Sequence, residues 1–421
     1  MHKTFTVVAL ALSTTGLIAA PNITDVNLSQ QGSRAVITYN LSESAIVTVD
    51  IQTNGVSVGA ALLQNVSGDV NQLVQPGTSK KKIVWKVGKA APDVEFAGAK
   101  AVVTAWSQRT PPPYLVASLS GEKEVRYYAS WDAMPGTVTN EIYKTEKLVM
   151  RRIPARNVPF RMGNRVNVRP DGAYAAVLTN DFWMGVYELT QRQHELTKGA
   201  MRGTATTLAA ADAATRPVER ITYDYAVGGT HDEYKRNYTA FGANNLFKPF
   251  RERTGLATLC FPTEAQWEFA CRAGGGTDYP GDHLADPSDD GEIAALLERI
   301  AWYADNAGGH THTVGLKEPN AFGLYDMIGN VRELVWDWYD ELKQVDWDGK
   351  AGYRGIVVDP FIAARDTGYG MVFRRGAGFS DEAASCTTYK RDYADSWNAP
   401  TDSAAEASIM AAGIRLAATI W

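Results

Sequence analysis

The sequence predicts two folded units, an N-terminal all-β sandwich and a C-terminal α+β domain, on three observations. Short alternating apolar runs separated by turn residues fill the stretch from Ile23 to Ser107, the period-2 pattern of half-buried strands. The run Arg109-Thr110-Pro111-Pro112-Pro113 then breaks that pattern, because consecutive prolines fix φ, remove amide donors and leave a stiff, extended segment. Beyond it, strand-like runs mix with capped helical segments in glycine-rich surroundings, which suits a compact, loop-rich α+β domain. A length of 421 residues agrees, since one domain per roughly 150 residues gives two or three.

Residues 1–20 read as a secretory signal peptide. Lys3 supplies the positive start, the stretch from Phe5 to Leu12 is mostly apolar, and Ile18-Ala19-Ala20 ends in small residues before Pro21. The mature chain is expected to begin near Pro21 and to be secreted, periplasmic or displayed at the cell surface. No later stretch reaches the roughly 18 uninterrupted apolar residues that span a bilayer, so no transmembrane segment is expected after signal cleavage.

Residues 21–107 are assigned to the sandwich, of the immunoglobulin or fibronectin type. Apolar alternation marks strands near 35–39, 45–51, 82–87 and 99–106, and Gln31-Gly32-Ser33, Asn54-Gly55 and Gln75-Pro76-Gly77 mark the turns between them. Residues 108–146 form a linker and β-rich connection, and residues 147–421 the C-terminal domain. There, residues 147–154 read as a strand and residues 190–198 and 263–272 as helices. In the second helix Thr263 caps the N-terminus, Glu264 sits near the positive end of the dipole, and Gln266 takes the capping-box position.

A net charge of −5 leaves no general basic surface, which argues against nucleic acid as a partner. Apolar residues at 45% and charged residues at 21% fit a folded, water-soluble body. Three cysteines, Cys260, Cys271 and Cys386, allow at most one disulfide, and whether Cys260 and Cys271 pair stays open. The acidic stretch from Asp286 to Glu292, which includes Asp289-Asp290-Gly291-Glu292, reads as a solvated loop, and His310-Thr311-His312 as exposed polar residues.

Several blocks occur in a diagnostic order: Phe160-Arg161-Met162-Gly163; residues 182–190, beginning Phe182-Trp183-Met184-Gly185; Arg216-Pro217-Val218; residues 261–270, beginning Phe261-Pro262-Thr263-Glu264; residues 319–333, ending Gly329-Asn330-Val331-Arg332-Glu333; and Ala412-Gly413-Ile414-Arg415. Together they resemble the formylglycine-generating enzyme, or sulfatase-modifying factor, superfamily, over nearly two thirds of the chain. The resemblance implies a variant of the C-type lectin fold. It also implies a copper site made by two cysteines five positions apart, at which a substrate cysteine is oxidised. Cys386 matches the second of these, but Asp381 stands at the first, Gly378 replaces a serine, and Leu334 replaces the residue that completes a tryptophan-glutamate-tryptophan pattern. A carboxylate is a hard ligand and a poor partner for a thiolate on copper(I), so copper is not expected. Cys386 can equally be read as a small buried hydrophobe.

The resemblance implies calcium held by Gly329, Asn330, Val331 and Glu333, whose oxygens suit a hard cation; the same residues can instead simply hydrogen-bond the turn. Two functional readings follow. In one, the protein is a non-catalytic scaffold that presents a protein or glycan ligand site on its C-terminal face, where Tyr389, Arg391, Tyr393, Trp397 and Asn398 combine aromatic and polar groups. In the alternative, it is a formylglycine-generating-type oxidoreductase or related enzyme that modifies a side chain of an exported protein.

Overall fold

The protein was analysed as a computed structural model that describes residues 21–31, 33–86, 98–163, 174–228, 241–280, 286–339, 356–361, 371–395 and 412–421. The proposed signal peptide, with Lys3 and Ile18-Ala19-Ala20, lies outside the described residues.

The N-terminal strands fall where apolar alternation puts them and assemble into two sheets. Ile23–Gln31, Arg34–Leu41, Lys81–Trp85 and Val66–Gly68 are neighbours in one. In the other, Ala45–Thr53 pairs with Val56–Ser57, Gln72–Val74 and Lys100–Trp106. Ala35, Ile37, Tyr39, Val47, Ile83 and Trp85 come from both sheets and share one apolar core. The polar tips of its two large aromatics are satisfied, since the Tyr39 hydroxyl donates to the Asp69 carbonyl at 2.6 Å and the Trp85 indole to the Leu62 carbonyl at 2.9 Å.

The segment read as a linker and β-rich connection contributes two strands to the next sheet. Tyr114–Ser118 lies between Val125–Tyr128 and Lys147–Ile153, and Phe182–Gly185 and Ala417–Thr419 complete a five-stranded antiparallel order. A second sheet runs Arg391–Asp395, Met371–Arg375, Arg332–Tyr339 and Ala412–Gly413. A third combines Pro159–Met162, Tyr174–Val177 and Ile356–Val358. Near-C-terminal segments thus close two sheets by pairing with strands from far earlier in the chain, Ala417–Thr419 with Phe182–Gly185 and Ala412–Gly413 with Arg332–Tyr339.

Both helices read from the sequence form, as Gln191–Lys198 and Glu264–Arg272, each preceded by a threonine cap. Thr263 Oγ accepts from the Gln266 amide at 3.1 Å, and Gln266 Oε1 accepts from the Thr263 amide at 3.0 Å. This reciprocal box satisfies two amides that a helix start leaves without intrahelical partners. The helix buries Trp267 completely and carries Ala265, Phe269, Ala270 and Cys271 into the core. The acidic stretch at 289–292 is not a loop. It begins the helix Asp290–Ile300, with Asp289 as its cap accepting from the Glu292 amide at 2.9 Å.

Among the described residues, no helix is long and apolar enough to cross a membrane. Thr263→Ala is expected to lower stability by about 1 kcal/mol through loss of the cap. Denaturant unfolding checks this, and Thr263→Ser should retain most of the stability.

Candidate functional site

The turn at Gly329-Asn330 is held by close backbone packing. Gly329 has φ +82°, and a Cβ there would lie 2.5 Å from the Trp302 carbonyl oxygen. Asn330 follows with φ 59°, also left-handed, a conformation asparagine tolerates better than most residues. Its side chain is fully committed: Oδ1 accepts from the His312 amide at 2.9 Å, while Nδ2 donates to Glu188 at 2.7 Å and to the His312 carbonyl at 3.2 Å. The Val331 amide donates to the other Glu188 oxygen at 3.1 Å, and the Gly329 amide donates to the Gly376 carbonyl at 2.7 Å.

Glu333 is almost completely buried, and its carboxylate is shared between a cation and an indole. Oε1 lies 2.7 Å from Arg415 Nη2 and accepts from Arg415 Nε at 2.9 Å, and Oε2 accepts from Trp267 Nε1 at 2.7 Å. A guanidinium therefore stands where the calcium expectation needs a free carboxylate. The residues do not fit the ion, and Asn330 and Glu333 serve the turn and the buried ion pair instead. Among the described residues, no group of three or more His, Cys, Asp or Glu side chains is placed to hold a metal.

Three buried carboxylates, Glu188, Asp326 and Glu333, surround Arg415 and influence one another's charge. Burial pushes the Glu188 carboxyl well up, with Asp326 and Glu333 adding to the effect. Burial also raises the Asp326 carboxyl to about 6, against the Gly315 amide and the charge of Arg415, which favour the anion.

The positions corresponding to the copper pair are arranged differently from a metal site. Cys386 is fully buried, donates from Sγ to the Glu382 carbonyl at 3.8 Å, and packs in the apolar core with Ala377 and Ala383. Burial, reinforced by the charges of Asp381 and Asp305, pushes its thiol up to about 12, so the sulfur stays protonated at neutral pH. Asp381 turns its carboxylate to Arg332. Oδ2 accepts from Nε at 2.7 Å, Oδ1 meets Nη2, and the Gly378 amide donates to Oδ2 at 2.7 Å. Arg332 is the residue sequence reasoning missed. It occupies the first tryptophan position of the tryptophan-glutamate-tryptophan pattern, so its position just before Glu333 was the available signal. Leu334 at the other tryptophan position is buried core.

The expected recognition residues separate. Tyr389 is half-buried. Arg391 faces inward, with Nε 2.5 Å from Glu264 Oε1, in a buried network that also joins Arg375 to Glu264 at 2.7 Å and to Glu268 at 2.6 Å. Its long polar side chain secures the helix to the sheet and is withdrawn from the surface. Tyr393 lies in the strand opposite Phe373, and Trp397 and Asn398 lie outside the described residues. His310-Thr311-His312 is likewise not an exposed polar patch. Thr311 is fully buried and donates to Glu219, while the His312 ring stacks on Trp302 with centroids 3.8 Å apart. All three cysteines are buried free thiols.

The sequence model of the sulfatase-modifying factor enzyme 1-like domain matches residues 147–420. The chain belongs to this family. The chain is 26% identical over 202 residues to the chaperone protein LppX of Paenibacillus barcinonensis, a match covering 39% of this chain and 64% of that protein. It is 31% identical over 149 residues to a formylglycine-generating enzyme of Thermomonospora curvata, covering 34% and 46% respectively. The matches thus span less than two thirds of either relative. Among solved structures, Treponema denticola variable protein 1 is similar at 19% identity and a TM-score of 0.48, over 65% of this chain and 95% of that one. PvdO from Pseudomonas aeruginosa is similar at 20% identity and a TM-score of 0.43, over 68% and 99%.

Two outcomes follow from this geometry. Glu333→Ala is expected to cost about 3–5 kcal/mol, because it strands a buried guanidinium, while added calcium or chelator leaves the melting temperature of the parent protein unchanged. Calorimetry with and without calcium measures both. The raised carboxyl of Asp326 makes the native state hold a proton that the unfolded chain releases, so its contribution is present below about pH 4 and is lost as pH rises through about 6. Asp326→Asn should flatten the stability profile across that window, as read by unfolding at a series of pH values.

Proposed function

We propose that this exported protein is a non-catalytic ligand-binding scaffold whose copper-oxidase site has degenerated, with a protein or glycan ligand bound at the C-terminal face. The observation that carries the reading is the Arg332–Asp381 ion pair. Asp381, at the position of one copper ligand, and Arg332, at the position of an aromatic residue, satisfy each other. The one remaining cysteine of the pair is buried and holds its proton. A cuprous site needs accessible thiolates, so neither half of the pair supplies what the oxidation requires.

The likeness to a relative named as a chaperone protein favours a polypeptide among the possible ligands. In this reading the two N-terminal sheets are an immunoglobulin- or fibronectin-like sandwich that spaces the C-terminal domain from its surroundings, and the start of the sequence directs export to the periplasm, cell surface or medium. The half-buried Tyr389 belongs to the ligand face, to which the sequence reading also assigns Tyr393, Trp397 and Asn398. Arg391 supports that face from beneath through Glu264.

The test is mass spectrometry of a peptide carrying the sulfatase cysteine-x-proline-x-arginine motif, incubated in air with copper-loaded protein and a reductant. No aldehyde is expected. Aldehyde formation that disappears in Cys386→Ser would overturn the reading in favour of the oxidoreductase.

A further inference from the structure

A cavity of about 280 Å³ opens in the C-terminal domain, away from residues 329–333, 381 and 386, with Trp336, Phe361 and Trp421 in its lining. The Trp336 and Phe361 rings meet nearly edge to face, with centroids 5.5 Å apart and planes at 62°. Asp359 is the one charged residue in the lining, beside neutral groups that include Thr179 and Gln266.

The Asp359 carboxylate is fixed by hydrogen bonds, and among the described residues no cation neutralises it. The Thr179 amide donates to Oδ1 at 2.8 Å and the Thr179 hydroxyl to Oδ2 at 2.5 Å. The Asp359 amide donates to the Val177 carbonyl at 2.9 Å, which pins the backbone as well. Both ligands of the carboxylate are neutral donors, and among the described residues Asp359 forms no ion pair.

We propose that this cavity binds a small organic cation of the quaternary-ammonium class. Aromatic faces attract a positive charge through their quadrupoles, and an acidic group beside them adds a Coulombic attraction, moderated by solvent because Asp359 is exposed. A quaternary ammonium has no N–H to satisfy and is weakly hydrated, so it suits an apolar lining in which Thr179 already donates to both carboxylate oxygens. A primary ammonium would need further acceptors and would lose more hydration on entry. A neutral sugar ring could stack on the aromatics but would leave the Asp359 charge uncompensated. The proposal does not rest on the scaffold reading above, because the residues involved are different.

Calorimetric titration of the mature protein with choline chloride, and in parallel with its uncharged isostere 3,3-dimethyl-1-butanol, tests it. Choline is expected to bind saturably and the isostere about tenfold more weakly or less, a difference equivalent to about 1.4 kcal/mol. Asp359→Asn should weaken choline about tenfold without affecting the isostere, and Trp421→Ala should weaken choline about fivefold, as expected for loss of one cation–π contact. Trp421 is 69% exposed and Asp359 lies at the surface, so both variants should fold, as circular dichroism would verify. Equal binding of choline and the isostere, choline binding indifferent to Asp359→Asn, or no saturable choline binding would each overturn the proposal. Methyl pyranosides form a third arm: their binding in place of choline, lost in Trp421→Ala, would assign the cavity to a sugar and likewise overturn it.

Discussion

The C-terminal domain is organised around one buried guanidinium. Arg415 is completely buried, and it ion-pairs with Glu333 while donating to the carbonyls of Gly185, Val186, Tyr325 and Asp326. Those carbonyls belong to two separate segments, and Glu333 holds Trp267 on a third. An arginine can do this because its five donors spread in a fixed plane. A buried ion pair is weak support for stability as such, but removal of one partner is costly, because the other charge is left without water or counter-ion. The pair therefore acts mainly as a registration device, requiring the helix, the strand after the Gly329 turn and the closing segment to be in place together.

A second set of buried charges anchors the same helix through residues on either side of Trp267. Glu264 and Glu268, one turn apart, receive Arg375 and Arg391 from two neighbouring strands, and Glu268 also receives Arg272 at 2.8 Å and the Gly163 amide at 2.7 Å. The network keeps Glu268 ionised despite complete burial, since the arginine charges outweigh desolvation. The strands that carry Arg375 and Arg391 are thus tied to the helix through buried ion pairs. Arg332 and Asp381, both largely buried, form a further ion pair at the positions where the family resemblance implies an aromatic residue and a copper ligand.

What was legible in the sequence was local. The Thr190 and Thr263 caps involve residues three apart, and the strand alternation at 35–39 and 45–51 needs only a period of two, so both could be read directly. The block order identified the domain because the blocks carry its turns and its buried aromatics. Long-range ion pairs were hidden. Arg391 looks like a surface residue until Glu264, 127 positions earlier, is found beside it, and Arg332 looks unremarkable until Asp381 is placed 49 positions on. Polar residues in a chain announce their chemistry but not their partners, and here the partners decide whether they face ligand or core.

The separation between Arg415 and the groups it joins has a consequence for biosynthesis. Gly185, to whose carbonyl it donates, lies 230 positions earlier, and Glu333 lies 82 positions earlier. While the chain is still emerging, the acidic cluster of Glu188, Asp326 and Glu333 has no Arg415 to compensate it, and the strands that need Ala412–Gly413 and Ala417–Thr419 remain open at one edge. An unpaired edge beside half-made apolar surface is where nascent chains associate with one another. The native arrangement of this domain is thus completed late and as a unit, so a truncated or stalled polypeptide would carry the domain's hazards without its stability.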